Sequence, residues 1–162
     1  MPLTGGNGVD VLQGQDGDDV INAGPGNDAA WGGANDDEII LSGSYTSGVA
    51  FGEAGEDTLT GGNGNDRLDG GADNDTLDGN EGNDILFGQS GADVVNGGGG
   101  NDLMYDADGM SGDAYTGGSG TDSLFYQTGG TFDFTAVGAD SYDTSIEWVR
   151  FMAGAVTVTG NA

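Results

Sequence analysis

Aspartate recurs through this chain at Asp10, Asp19, Asp28 and Asp37, then at Asp57, Asp66, Asp75, Asp84, Asp93 and Asp102, then at Asp122. Within each unbroken series the interval is nine residues. Each of these carboxylates closes a glycine-rich stretch in a nine-residue unit close to Gly-Gly-x-Gly-x-Asp-x-U-x, where U is apolar. Residues 5–13 (GGNGVDVLQ) and 61–69 (GGNGNDRLD) are clean copies. Carboxylates in fixed register with turn glycines suit coordination of a hard cation by side-chain and backbone oxygens. A merely solvated acidic surface would not need that register.

The rest of the composition narrows the chemistry. The chain has 162 residues, 28 acidic side chains, two basic ones (Arg67 and Arg150) and a formal charge of −26. Nucleic acids and anionic membrane surfaces are excluded as partners, because both require cationic side chains. With no Cys and no His, thiolate sites, catalytic zinc and His-dependent triads are excluded as well. The oxygen ligands that remain suit Ca²⁺. No apolar run approaches membrane-spanning length, so membrane insertion is not expected.

The elements that must position the carboxylates follow from the same frame. Nonads fill 5–40, 52–105 and 117–125, and two eleven-residue units, 41–51 and 106–116, interrupt them. Positions one to six of each unit read as a turn, in which Gly permits positive φ. Asn35 and Asp73 stand at fourth positions, where they are the next most tolerant residue types. Positions seven to nine read as a short strand whose middle side chain faces inward. That inward column is Leu12, Ile21, Ala30, Ile39, Ala50, Leu59, Leu68, Leu77, Leu86, Val95, Met104, Tyr115 and Leu124, apolar or aromatic throughout. Asp113 joins the aspartate series if the second insertion lies early in its unit. Unit 41–51 has Gly48 at the equivalent place.

These residues resemble the RTX (repeats-in-toxin) calcium-binding nonapeptide family. The resemblance implies an all-β fold, a right-handed parallel β-roll with 18 residues per coil and about six coils here, spanning residues 1–125. Odd units would then stack on one side and even units on the other. Each Ca²⁺ would lie between consecutive turns of one side, held by sixth-position Asp side chains and turn carbonyls. The even column would be Asp19, Asp37, Asp57, Asp75, Asp93 and Asp113. The odd column would be Asp10, Asp28, a gap at Gly48, then Asp66, Asp84, Asp102 and Asp122. About eight ions are expected. The family also implies a secreted module, exported by type I secretion as part of a larger protein and folding when it meets extracellular calcium.

The outward ninth positions differ between the two sides. On odd units they are Gln13, Trp31, Phe51, Asp69, Phe87, Tyr105 and Phe125, and on even units none is aromatic. A long apolar surface of this kind is expected to be an interface. Its candidate occupants are the C-terminal 37 residues, a second copy, a parent domain or a glycan.

From residue 126 the repeat stops. The segments TFDFTAV, SIEWVRFM and AVTVTG read as three strands of a C-terminal β capping segment, 126–162, with Trp148, Phe151 and Met152 as candidates to plug the core. Asp106-x-Asp108-Gly109 resembles the opening of an EF-hand loop, but Gly117 stands where the loop's Glu is required, so an EF-hand is rejected. Asp106 and Asp108 remain candidate ligands in an enlarged turn. No glycine-rich turn carries a phosphate-loop lysine. A carboxylate pair for glycoside hydrolysis would have to come from Asp133, Asp140, Asp143 and Glu147, with nothing to single it out. The chain is therefore not expected to be an enzyme.

Overall fold

The computed structural model describes residues 2–43, 47–108, 112–126, 131–133, 141–142, 146–151 and 157–159. Numbered in chain order, all but two of the strands among the described residues fall into two parallel sheets. One sheet contains β1 (Leu3–Thr4), β3 (Val20–Asn22), β5 (Glu38–Ile40), β7 (Thr58–Thr60), β9 (Thr76–Asp78), β11 (Val94–Gly99), β13 (Ala114–Ser119) and β16 (Ser141–Tyr142), adjacent in that order. The other contains β2 (Val11–Asp16), β4 (Ala29–Ala34), β6 (Val49–Ala54), β8 (Arg67–Ala72), β10 (Ile85–Ser90), β12 (Leu103–Asp106), β14 (Asp122–Tyr126) and β17 (Ile146–Phe151). Successive strands alternate between the sheets as far as β14, so the chain winds as a parallel β-roll. Even units form the first sheet and odd units the second.

Register follows the repeat. Partners across a sheet are 18 residues apart, as in Leu12↔Ala30 and Leu68↔Leu86. The offset widens to 20 where an eleven-residue unit intervenes, as in Ala30↔Ala50 and Val95↔Tyr115. Both insertions therefore lie in the turns and leave the pleat in phase, since a one-residue slip would have turned the apolar column outward.

The core is the inward column. All of it is buried except Leu12, which is partly covered at the open first coil. Ala23 and Leu41, at first positions, are also buried in it. Asn35 and Asp73 adopt φ of 80° and 76°, as expected for fourth positions.

Three features lie outside the thirteen-unit frame. Leu3–Thr4 pairs with Ile21–Asn22 and begins the roll one rung early. At the far end β16 pairs with β13 and β17 with β14, so each sheet gains a rung beyond residue 126. Among the described residues this gives eight strands in each of the two large sheets. β15 (Thr131–Asp133) and β18 (Thr157–Thr159) form a separate parallel pair. Strands thus occur within all three of the expected C-terminal segments. The side chains of Trp148, Phe151 and Met152 lie outside the described residues.

Candidate metal centre

Geometry starts with the first glycine of each unit. A Cβ built on Gly32, Gly52, Gly70 or Gly88 would lie within 2.4 Å of Oδ2 of its own unit's aspartate: Asp37, Asp57, Asp75 or Asp93. Gly79, Gly97 and Gly117 stand in the same relation to Asp84, Asp102 and Asp122. The sixth-position carboxylate thus turns back into the roll and occupies the space a side chain at position one would fill.

The carboxylates are then joined coil to coil. From Asp28 on the odd side and Asp37 on the even side, Oδ1 of each aspartate accepts the backbone N–H of the equivalent residue one coil earlier. On the even side Asp19 donates to Asp37, Asp37 to Asp57, Asp57 to Asp75, Asp75 to Asp93 and Asp93 to Asp113, at 2.8–2.9 Å. On the odd side Asp10 donates to Asp28, Gly48 to Asp66, Asp66 to Asp84, Asp84 to Asp102 and Asp102 to Asp122, at 2.6–2.9 Å. The two columns read from the sequence are therefore two hydrogen-bonded ladders. Asp113 is a full member of the even one.

The ladders leave charge without compensation. From Asp28 onward these carboxylates are at most 3% exposed, whereas Asp10 and Asp19 are half-buried near the open end. Oδ2 of Asp37, Asp57, Asp75, Asp84, Asp93 and Asp102 is buried with no hydrogen-bond partner. Burial is the main force on their acidity, raising Asp75 and Asp84 to about 7 and Asp57, Asp93 and Asp102 to about 6. The accepted backbone N–H opposes the rise, and neighbouring carboxylates add to it. Asp37 and Asp66 shift upward for the same leading reason. Rows of buried carboxylate oxygens with no cation beside them are costly unless an ion or a proton compensates them. An oxygen-only donor set of this kind fits Ca²⁺.

The model of the RTX calcium-binding nonapeptide repeat matches residues 4–39, 42–77 and 70–104, more than half of the chain. The chain belongs to the RTX calcium-binding repeat family. No curated protein and no solved structure matches it. Calcium is the ion that RTX repeats bind, and the unpartnered oxygens lie within the matched units.

Three units depart from the RTX pattern at the first position, unit 23–31 only mildly, with Ala23 in place of Gly. In unit 41–51 Leu41 replaces Gly and is 4% exposed in the core, and Gly48 replaces the aspartate. In unit 106–116 Asp106 replaces Gly and is 1% exposed. Asp106, Asp108 and Asp113 bring one carboxylate oxygen each within 4.8 Å of one another. The Tyr115 hydroxyl lies 3.3 Å from Asp113 Oδ2, and its ionisation is suppressed by burial and by the charges of Asp106 and Asp113. The spacing of Asp106 and Asp108 marks both as candidate ligands, and the register of the fold adds the inward place of Asp106.

The aromatic positions of the odd sheet are half-buried and stack on one another. Trp31 lies against Phe51 at 5.5 Å, and Phe87, Tyr105 and Phe125 form a run at 4.7 and 4.9 Å. Arg67 enters the gap between the two runs, with its guanidinium 5.6 Å from the Phe51 centroid and 4.3 Å from that of Phe87. Arg67 also pairs with Asp69 at 2.6 Å. Arg150 lies over Phe125 at 5.7 Å. Arg67 thus joins the two aromatic runs into one column of stacked planar groups.

Proposed function

We propose that this chain is a secreted RTX module whose roll forms when Ca²⁺ bridges successive turns. The observation that carries the reading is the pair of buried aspartate ladders with unpartnered Oδ2 atoms. The ligands are Asp19, Asp37, Asp57, Asp75, Asp93 and Asp113 on one side and Asp10, Asp28, Asp66, Asp84, Asp102 and Asp122 on the other. One ion per adjacent pair gives five ions on the even side and four on the odd, close to the eight expected from sequence.

The physical cause is a balance. Thirty-six glycines lose much conformational entropy on ordering, and the carboxylates repel one another. A core one side chain wide offsets little of this. Calcium supplies the missing charge when bound, and the chain's own residues supply the register. Extracellular modules bind at roughly 10⁻⁴–10⁻³ M, above cytosolic calcium. Such a chain stays unfolded until export, in keeping with type I secretion and a structural or secretion-assisting role rather than an enzymatic one.

Far-ultraviolet circular dichroism with and without Ca²⁺ tests the proposal. Strand signal should be absent in chelator and appear cooperatively on titration. A chain already β-structured in chelator at neutral pH would refute calcium-driven folding.

A further inference from the structure

Both basic residues of the chain, Arg67 and Arg150, lie on aromatic rings of the odd sheet. Arg67 fills the break between the two aromatic runs, and Arg150 closes the run that ends at Phe125. The remaining end is Trp31. One face of its ring stacks on Phe51, and the rung on the other side is Gln13, which has no ring. A pocket of about 200 Å³ opens there, lined by Gln13, Gln15, Trp31, Gly32, Gly33 and Glu53.

The backbone beside this pocket is unusual in a second way. Gln15, Gly33, Glu53, Gly71 and Gln89 pair in register across β2, β4, β6, β8 and β10. All five have positive φ, from 76° to 121°. Gly33 and Gly71 show the residue this conformation accepts without strain, so Gln15, Glu53 and Gln89 hold their side chains against a backbone preference. The glycines between them leave two notches, one on each side of Glu53. At Gly71 the notch is closed: Gln89 Nε2 donates to Asp69 Oδ1 at 3.0 Å, and Asp69 holds Arg67. That closed notch contains an aromatic face, a carboxylate, an amide and a guanidinium. At Gly33 the aromatic face is Trp31, the carboxylate is Glu53 and the amide is Gln15, and the chain has no further cation to supply.

We infer that the pocket between Trp31 and Glu53 is a binding site for an external guanidinium group, as on an arginine side chain of a partner protein. The bound group stacks on the Trp31 ring as Arg67 stacks on Phe87, and it donates to the Glu53 carboxylate as Arg67 donates to Asp69. The site's volume lies below the roughly 300–1,000 Å³ of drug-sized pockets and suits a single small planar group. The formal charge of −26 draws cations towards it.

The test uses the full chain in saturating Ca²⁺, with agmatine and an acetylated, amidated Gly-Arg-Gly peptide as probes. The indole N–H resonance of Trp31, assigned with Trp148→Phe, reports occupancy. Both probes should shift it saturably, with binding that weakens as salt is added. Glu53→Gln should weaken binding about fivefold, the scale of one exposed ion pair. Glu38→Gln removes the same charge from the opposite sheet and should leave it unchanged. Butylamine, a point-like ammonium, should bind more weakly than agmatine. No saturable shift, equal effects of the two Glu variants, equal binding of butylamine, or preference for neutral methyl glucoside would each overturn the inference. Because calcium-induced strand signal is read separately, failure here is distinguishable from failure of the calcium reading.

Discussion

A Cβ added to Gly48 would lie 2.9 Å from Cδ1 of Leu41. In regular units Gly stands first and Asp sixth, and the carboxylate occupies the glycine's vacant side-chain space. Unit 41–51 reverses the pair: the side chain comes from position one, and the glycine stands at position eight, the register equivalent of the sixth. Gly48 still donates its N–H to Asp66 Oδ1 at 2.6 Å, but it offers no carboxylate to the coil before it. The gap in the odd ladder is thus a packing exchange rather than a simple loss.

Restoring the repeat therefore takes two changes. Gly48→Asp alone should destabilise the calcium-loaded roll by about 1–3 kcal/mol, through crowding against Leu41. Leu41→Gly with Gly48→Asp should add two adjacent aspartate pairs, Asp28 with residue 48 and residue 48 with Asp66. Calcium stoichiometry by isothermal titration should rise by about two ions in the double variant only. An unchanged stoichiometry would contradict one ion per pair.

Position along a ladder should set the cost of losing a carboxylate. Asp75 accepts from Asp57 and donates to Asp93, whereas Asp10 is half-buried at the first coil. Asp75→Ala removes a ligand from two pairs and leaves a buried N–H unmet, a cost of about 1–3 kcal/mol before any calcium effect. Asp10→Ala touches one pair. Calcium midpoints followed by circular dichroism should shift further for Asp75→Ala, and identical midpoints would count against the stacking.

Protons should partly replace calcium. Asp75 and Asp84 rise to about 7, and Asp57, Asp93 and Asp102 to about 6, against an unfolded value of about 3.9. The folded, calcium-free chain then binds more protons than the unfolded one. The stability these groups contribute is fully present below about pH 4 and is lost as pH rises through 6 to 7. In calcium-free buffer, strand content should fall between pH 5 and pH 8, and calcium binding near pH 6 should release protons. Strand content that rises with pH in the absence of calcium would contradict the burial of these carboxyls.

Arg67 should matter more as a plane than as a charge. Its ion pair with Asp69 is partly exposed and contributes little by itself. Its contacts with Phe51 and Phe87 are about 0.5–1 kcal/mol each. Arg67→Ala should lower the stability of the calcium-loaded roll by about 1–2 kcal/mol, and Arg67→Lys should recover less than half of that. Thermal midpoints at low and high salt check this. A loss abolished by salt would point to the ion pair instead.

Much of the architecture was legible because a nine-residue period is both a geometric and a chemical signal. The inward column and the tolerance of Asn35 and Asp73 for positive φ follow from counting positions, whereas the sheet to which each unit belongs and the two aspartate columns follow from the resemblance to RTX repeats. The reason for the first glycine was not legible. Its constant company with a sixth-position Asp is a sequence signal, but only the fold shows that the two share one volume. Leu41 with Gly48, and Asp106 with Asp113, look like independent departures until the register places each pair together.

By itself, then, the sequence determined the turn-and-strand repeat, its apolar inward column and an oxygen-rich, cation-seeking chemistry, because local turn preferences and a period of two act residue by residue, while the 18-residue coil of the parallel roll came with the resemblance to RTX repeats. Tertiary structure decided what depends on neighbours a coil away. It placed the carboxylates inward in hydrogen-bonded ladders, raised their pKa values by burial, and inserted Arg67 between Phe51 and Phe87. Those outcomes rest on strand-to-strand stacking at about 4.8 Å, a distance that no single unit contains.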